Sequence, residues 1–238
     1  MAKKKRKRVS AKKAAEKNSG GIDFTSISLP DGVGLFDMKE GIRRVDILPY
    51  TVGTPGPSGP NPEAGEGDVY FERTFYTHRD IGADGNTYVC LAKTAGKKCP
   101  VCESRASMLK NGADKDVADE LLPKKRQLWN VYDREAPDKN VQVWDVSFHL
   151  FGKQLYKEIN NADEDDDFEF FADPQEGSTL RLGIEEVNRG GYKFNSVETI
   201  GFKVRKTPLS DEVLEQANDL DGVLTVLSYK DLEAIYLQ

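Results

Sequence analysis

The chain has 238 residues and a mass of 26.5 kDa, which suits one large domain or one domain with a small inserted module. Hydrophobic residues make up 38% of it, enough for a modest core, and no apolar run approaches the roughly 18 residues that a membrane-spanning helix needs. No apolar segment follows the charged N-terminus, so a secretory signal peptide is not expected. Three cysteines, two of them in Cys99-Pro-Val-Cys102, suit a metal site in a reducing compartment better than a disulfide framework.

The net charge of −6 is unevenly distributed. Residues 1–18 contain nine lysines and arginines and one glutamate, whereas the other 220 residues contain 25 basic and 39 acidic residues. Such a basic arm is expected to be disordered by itself and to bind something negatively charged. It lacks an amphipathic pattern with large apolar residues, so we do not expect a membrane anchor. A solubility tail or a nuclear-import signal is the alternative interpretation.

The C-terminal residues 208–238 are acidic, with seven acids and one base. Apolar residues recur there at helical spacing in two groups, Val213, Leu214 and Ala217, and Leu232, Ile235 and Tyr236. The sequence leaves open whether this segment is helical or flexible. An acidic segment of this kind is expected to compete with polyanions for a basic surface of the same chain.

The predicted elements follow from hydrophobic periodicity and from turn residues. Strands are predicted over residues 43–52, 69–77, 87–91, 124–134, 141–150, 179–187 and 192–204. Helices are predicted over residues 99–109, 114–122 and 152–160, and residues 53–67, rich in Gly and Pro, are expected to form a loop. This order predicts a mainly β (α+β) fold, an OB-type Greek-key barrel with an inserted metal module. The expected organisation is a basic arm (1–20), a core (21–207) with a zinc subdomain inside it (78–122), and an acidic C-terminal segment (208–238).

The strongest local motif is His78-x11-Cys90-x8-Cys99-x2-Cys102. Zn²⁺ in structural sites prefers four tetrahedral ligands such as Cys3His, and a Cys-x2-Cys pair can give two thiolates to one ion. Four protein ligands leave no open position for a substrate, and no His-x-Glu follows His78, so we expect one structural zinc ion. The alternatives are a core thiol at Cys90, a surface histidine at His78 and a redox pair at Cys99 and Cys102.

Basic and aromatic residues share faces of the predicted strands. One face of the strand over residues 124–134 combines Lys124 and Arg126 with Tyr132 and Arg134. Single-stranded nucleic acid needs this combination, because cations meet the phosphates and the exposed bases stack on rings for about 1–3 kcal/mol each. For any single ring, packing in the core is the alternative.

The motif His78…Cys90…Cys99-Pro-Val-Cys102 resembles the zinc module of the helix-destabilising single-stranded DNA-binding proteins of tailed phages. The resemblance covers about residues 35–205 and includes the following motifs: Lys124-Lys125-Arg126-x2-Trp129-Asn130-Val131, Ala136-Pro137, Phe151-Gly152-Lys153-x3-Lys157-x-Ile159 and, weakly, Arg189-Gly190-Gly191-Tyr192. It implies an OB fold with an inserted zinc ribbon. It further implies cooperative contact with a neighbouring protomer through the arm at Lys5, Arg6, Lys7 and Arg8, and docking of replication and recombination proteins on the acidic C-terminus.

The residue patterns and the resemblance together predict a protein that binds single-stranded DNA cooperatively and without sequence preference, in replication, recombination and repair. The expected nucleic-acid contacts are Arg73, Tyr88, Lys98, Arg105, Lys124, Lys125, Arg126, Trp129, Tyr132, Arg134, His149, Tyr192 and Phe194. The alternative is a zinc-ribbon adaptor of the transcription or replication machinery that binds a protein partner and duplex DNA. Catalysis is not expected, since a P-loop, a nucleophile elbow and an ordered carboxylate cluster are all missing. The expected location is the host cell cytoplasm, and the sequence does not separate DNA from RNA as the ligand.

Overall fold

A computed structural model describes residues 26–163 and 166–238, and antiparallel strands dominate it. The strands are β1 (Gly41–Leu48), β2 (Tyr50–Thr51), β3 (Val69–Tyr70), β4 (Glu72–Ile81), β5 (Asn86–Val89), β6 (Lys124–Asp133), β7 (Val141–Ser147), β8 (Ser178–Arg189) and β9 (Tyr192–Val204). The α-helices are α1 (Leu91–Ala95), α2 (Pro100–Lys110), α3 (Lys115–Asp119), α4 (Gly152–Asn160), α5 (Asp211–Leu214) and α6 (Tyr229–Tyr236). Short 3-10 helices lie at Pro137–Lys139 and Phe168–Phe170. The predicted class, mainly β with short helices, is confirmed.

Seven strands form one sheet with the order β5-β4-β6-β1-β8-β9, and β7 pairs with β6. The first half of β6 pairs with β4, ending where Glu72 lies opposite Trp129, and its second half pairs with β1. Among the described residues no ladder joins β7 to β9, so the sheet is open and the predicted OB-type Greek-key barrel is not closed. The Val197 amide of β9 donates to the Leu150 carbonyl, in the turn before α4, at 3.0 Å, and joins β9 to the residues that follow β7.

The main hydrophobic core lies on one face of this sheet. Residues directly opposite each other on neighbouring strands point to the same face of a sheet. Trp129 of β6 lies opposite Trp144 of β7, and both side chains point into this core. Helix α4 covers them with Leu155, and Phe151, just before the helix, packs edge-on against Trp129 at 5.2 Å between ring centroids. The buried side chains of this core are Phe36, Val45, Ile47, Trp129, Val131, Trp144, Val146, Phe151, Leu155, Phe171, Ala172, Leu180, Leu182, Ile184 and Val197.

The opposite face of β4, β6 and β7 is covered by the two terminal parts of the described chain. Phe75, Leu128 and Val143 point to this side and pack with buried side chains from both ends of the chain, Ile27 and Leu220 among them. The two ends also pair with each other, since the Ser28 amide donates to the Val223 carbonyl at 2.8 Å and the Thr225 amide donates to the Ser26 carbonyl at 3.0 Å. The sheet is therefore a middle layer.

The acidic C-terminal residues 208–238 are folded onto this layer, which settles the question that the sequence left open. Their buried apolar side chains are Leu209, Leu220, Val223, Leu224 and Leu232. Asn218 exchanges hydrogen bonds with Asn130 of β6, and Asp221 forms an ion pair with the buried Arg73 of β4, with 2.7 Å between Nε and Oδ1. Short helices form at both places where apolar spacing predicts them, α5 and α6.

Most of the predicted strands and helices are present with shifted ends. Helix α4 has the predicted bounds, and α2 begins with Pro100 at its first turn, where the missing N–H costs no hydrogen bond. Strand β1 ends at Leu48 because Pro49 cannot donate to a ladder, so residues 50–51 pair separately with β3. Within residues 26–163 and 166–238, no helix combines the length and the apolar character that crossing a bilayer requires.

Candidate metal centre and cationic surfaces

The four predicted metal ligands converge on one point. The Nε2 atom of His78 lies 3.4 Å from the Cys99 sulfur and 3.5 Å from the Cys102 sulfur, and the Cys90 and Cys102 sulfurs are 3.5 Å apart. All four ligand atoms lie within 4.8 Å of one another. His78, Cys90 and Cys99 are buried and Cys102 is half-buried.

The four ligands come from three local structures. His78 lies near the end of β4, Cys90 follows β5 and is the N-cap of α1, and Cys99 is the N-cap of α2, with Cys102 in the first turn of that helix. The backbone amide of Lys93 donates to the Cys90 sulfur at 3.4 Å, as expected for a sulfur that caps a helix. The short helices and the end of the β4–β5 pair are therefore held by a single cluster.

The cluster fits a tetrahedral metal ion. With metal–sulfur and metal–nitrogen bonds of about 2.3 and 2.0 Å, the ligand atoms of a zinc tetrahedron lie about 3.5–3.8 Å apart, close to the distances observed. The other ring nitrogen of His78, Nδ1, lies 2.8 Å from the Leu121 carbonyl oxygen. Such a contact fixes the ring orientation and leaves Nε2 to bind the metal. The donor set, three sulfurs and one imidazole, is typical of structural zinc.

The electrostatics of the cluster show how closely the ligands interact. Hydrogen bonds with Cys102 and Cys90 lower the pKa of Cys99 far below that of a free thiol. Burial lowers the pKa of His78, but hydrogen bonds and charge from Cys90 and Cys99 outweigh it and raise the pKa to about 9. Thiolate is therefore already favoured at one sulfur, and thiolate is the form that binds a metal.

A cationic surface with rings lies at the metal-proximal end of β6. Strand β6 starts three residues after Leu121, so the position of Lys124 is tied to the cluster. The Lys125 ammonium lies 4.4 Å above the Phe148 ring, and the ring of the exposed His149 is 5.7 Å from Phe148. We call Lys124, Lys125, Arg126, Phe148 and His149 the zinc-side surface; within it Lys124 and Arg126 point to one face of β6 and Lys125 points to the other.

Arg126 is held within this surface. Its Nε donates to Asp145 Oδ1 at 2.7 Å and its Nη2 donates to the Asp145 carbonyl at 3.2 Å. Burial raises the pKa of Asp145, and the guanidinium opposes that rise. Because a carboxylate already neutralises Arg126, Lys124 and Lys125 supply most of the free positive charge here.

Other predicted contacts lie around the metal module. Lys98 is exposed and lines a groove of about 600 Å³ between the module and the C-terminal segment, where Tyr229 also lies. Arg105 of α2 forms an ion pair with Asp119 of α3. Tyr88 is half-buried and packs on the apolar side chains of the module.

The remaining predicted residues are spread along the sheet. Tyr132 and Arg134 lie at the end of β6 far from the metal cluster, with the guanidinium carbon of Arg134 5.4 Å from the Tyr132 ring centroid. Tyr192 at the β8–β9 turn is 79% exposed, and Phe194 is half-buried. The structure therefore does not gather all the predicted contacts at one place.

Arg73 and Trp129 cannot touch a ligand in this structure, which corrects two of the predicted contacts. Both side chains are 0% exposed. Arg73 donates to the carbonyls of Thr74, Ser58 and Gly59 and pairs with Asp221, so its charge serves the interior. Trp129 is stacked on Phe71 at 5.7 Å between ring centroids within the main core. Neither residue is retained as a contact.

Three further cations, Arg44, Arg181 and Lys206, are exposed near Arg134 and belong to no motif of the sequence. A sequence signal exists for two of them, because Arg44 and Arg181 each stand among apolar residues of a predicted strand. Only the strand register reveals that they are neighbours, because Arg44 lies directly opposite Arg181. The basic residues proposed for self-association, Lys5, Arg6, Lys7 and Arg8, lie outside the described residues.

A comparison of the chain with models of known protein families found no match, and neither did a comparison with curated proteins.

Proposed function

We propose that this protein binds single-stranded DNA without sequence preference and that a structural zinc ion holds its binding surface in shape. The observation that carries the proposal is the junction of the His78–Cys90–Cys99–Cys102 cluster with the zinc-side surface. The cluster fixes the start of β6, where the Lys125 ammonium lies 4.4 Å above the Phe148 ring and the exposed Lys124 precedes it. Cations can contact the phosphates, and neighbouring rings can stack on the bases. This combination suits a single strand, because its bases are accessible.

The arrangement of the sheet supports the proposal at a coarser level. Strands β7-β6-β1-β8-β9 follow one another across the sheet, and α4 connects β7 to β8. An OB fold is a partly open five-stranded barrel that binds oligonucleotides with its second and third strands and with two of its loops. We propose that these five strands are an OB-type arrangement without β7–β9 closure. Strands β6 and β7 would then be the second and third strands, and the loop from β1 to β6 would carry the metal module.

The proposed activity is helix destabilisation. A protein that binds single strands and not duplex shifts the melting equilibrium towards open DNA by mass action. The basic residues 1–18 would add cooperativity by contacting a neighbouring protomer, and the acidic residues 208–238 are the proposed contact for replication and recombination proteins.

The test is an anisotropy titration of fluorescently labelled poly-dT and of a labelled duplex of the same length. Intrinsic tryptophan fluorescence is a poor reporter here, because Trp129 and Trp144 are 0% and 2% exposed. We expect tight, salt-sensitive binding of poly-dT and much weaker binding of the duplex. Equal affinity for the two ligands would instead favour the zinc-ribbon adaptor. A parallel titration of labelled poly-rU shows whether the protein binds RNA as well.

Two variants link the binding to the proposed surface. Lys124→Gln with Lys125→Gln should weaken poly-dT binding and reduce the dependence of log K on log salt by about 1.4, since each phosphate contact on a single strand contributes about 0.7. A matched control is Lys110→Gln with Lys115→Gln, which removes two exposed charges from helices α2 and α3. Identical binding by the two double variants would contradict the assignment of this surface.

A further inference from the structure

A second group of cations lies at the other end of the sheet, on strands β1, β8 and β9 and just after β6 and β9. We call it the arginine face; its members are Arg44, Arg134, Arg181, Lys203 and Lys206, all of them exposed. They line two adjoining grooves of about 390 and 340 Å³, which share Arg44, Thr179 and Lys203. These cations are separate from the zinc-side surface.

The strand register brings these residues to one side of the sheet. Arg44 of β1 lies opposite Arg181 of β8, and Arg181 lies opposite Gly201 of β9. Lys203 is two residues beyond Gly201, and side chains two residues apart point to the same face of a strand. Because Gly201 has no side chain, the floor between the arginine and lysine side chains is low and open to a ligand.

Buried or fixed carboxylates hold two of the arginines in place. Asp46 is 0% exposed and accepts hydrogen bonds from Arg134, from Thr179 Oγ1 at 2.7 Å and from the buried Arg205. Glu135 accepts from the Arg44 backbone amide at 2.8 Å and from Arg44 Nε at 2.6 Å. The side chains of Arg44 and Arg134 are nevertheless 60% and 40% exposed, so their outer nitrogens are available. The guanidinium groups are thus oriented in advance.

The other three cations are not neutralised. Within the described parts of the chain, the side chains of Arg181, Lys203 and Lys206 have no hydrogen-bond or ion-pair partner. The face therefore carries five cations, and Asp46 and Glu135 are the acids that contact them. Arginine forks bind phosphate through two nitrogens at once, and an oriented arginine loses less side-chain freedom when it does so.

Apolar side chains accompany the cations. Ile42 is 50% exposed and Val204 is 70% exposed, and Ile42 lines the same groove as Arg181 and the half-buried Phe202. A single strand offers bases as well as phosphates, whereas a free anion offers charge alone. We infer that the phosphodiester backbone of a bound single strand lies against the arginine face, with bases near these apolar side chains. This inference rests on the proposed single-strand binding and adds a second contact region to it.

The test uses the double variant Arg181→Gln with Lys203→Gln, which removes two cationic side chains that have no partner among the described residues. Neither side chain has a partner to lose, so the thermal melting temperature should be unchanged. For poly-dT the salt dependence should fall by about 1.4, and affinity at 0.1 M salt should fall roughly 25-fold, the effect of two lost contacts. The matched control is again Lys110→Gln with Lys115→Gln, two exposed charges on α2 and α3, which should bind like the unmodified protein.

The outcomes separate the two claims. Binding of poly-dT by the unmodified protein together with full binding by the Arg181/Lys203 variant overturns the second contact region and leaves the proposed function standing. Failure of the unmodified protein to bind poly-dT removes the proposed function, and the arginine face loses its ligand with it. A loss of affinity in the Arg181/Lys203 variant and not in the control supports both.

Discussion

Glu72 shows at the scale of one residue how this fold confines a carboxyl group. Its side chain is 2% exposed, Gln127 donates a hydrogen bond to it, and Thr74 Oγ1 donates to it at 3.3 Å. Burial raises the pKa of Glu72 to about 7, although a hydrogen bond with Tyr156 and the charge of Lys125 partly oppose the rise. The folded protein therefore keeps a proton on Glu72 at pH values where the unfolded chain has released it.

This raised pKa predicts a pH-dependent stability. Between about pH 4.5 and pH 7 the folded state binds more protons than the unfolded state, so the contribution of Glu72 to the free energy of unfolding falls as the pH rises. Glu72→Gln removes this titration. From about pH 5 to pH 8 the stability of the variant relative to the unmodified protein should rise by roughly 2–3 kcal/mol.

Urea denaturation at the two pH values measures this change. Any titration of the metal ligands affects both proteins alike and cancels in the difference. Glu169→Gln, at an exposed carboxyl, is the control and should show a constant difference. A pH-independent difference for Glu72→Gln would mean that the carboxyl ionises normally.

At the scale of elements, helix α6 joins the C-terminal segment to the metal module. Leu232 is 0% exposed among the apolar side chains of the module, and two tyrosines at the ends of α6 hold α2. The Tyr229 hydroxyl donates to Glu103 at 2.8 Å, and the Tyr236 hydroxyl lies 2.7 Å from the Ser104 hydroxyl. The acidic segment is thus structural as well as charged.

Truncation of Leu232 tests this role. Leu232→Ala leaves a cavity in a buried cluster and should lower the free energy of unfolding by about 2–5 kcal/mol. Leu237→Ala, one residue after the helix and 75% exposed, should change it by less than about 0.5 kcal/mol. Urea denaturation of the two zinc-loaded variants compares them directly. Equal stabilities would show that α6 contributes little to the module.

The sequence predicts these elements well wherever the signal is local. The alternation in residues 124–134 and the helical spacing in residues 152–160 both predict the observed elements, β6 and α4. The Cys99-x2-Cys102 pair is also local, because both thiols belong to the start of one helix. In these cases neighbouring residues determine the result.

Non-local packing accounts for what the sequence does not predict. Alternation shows that Arg73 and Phe75 share a face of β4, but it does not show that Leu220 and Asp221 cover that face from nearly 150 positions away. The sequence likewise does not show which face of β6 is covered, so it predicts a nucleic-acid contact for Trp129, whereas the side chain lies in the core. The register that places Arg44 beside Arg181 is likewise a property of the paired strands.

At the scale of the whole molecule, the metal ion would connect β4, the end of β5 and the start of α2, which also share a small buried apolar cluster. Zinc binding supplies roughly 10–16 kcal/mol in small zinc modules, comparable to the whole stability of many domains. Removing zinc should therefore lower the melting temperature of the protein strongly, and returning zinc should restore it.

Metal analysis and spectroscopy test this dependence. The protein should hold one zinc per chain, and Cys99→Ser should hold less than one and melt at a lower temperature. Cobalt(II) in place of zinc should show the absorption of a tetrahedral thiolate complex, weakened in Cys99→Ser. Ser104→Ala, in the same helix, keeps all four ligands and should keep the cobalt spectrum. A full cobalt spectrum in Cys99→Ser would exclude Cys99 as a ligand.

The backbone pairing of Ser26 and Ser28 with residues 223–225 sets a tether point. The basic residues 1–18 precede Ser26 in the sequence, and a segment of 25 residues has a contour length of at most about 90 Å. Any second molecule that the arm reaches must present its acidic surface within that radius. Because the paired residues 223–225 lie inside the acidic segment 208–238, we expect this segment to be present at high effective concentration near the arm and to compete with neighbouring molecules for it.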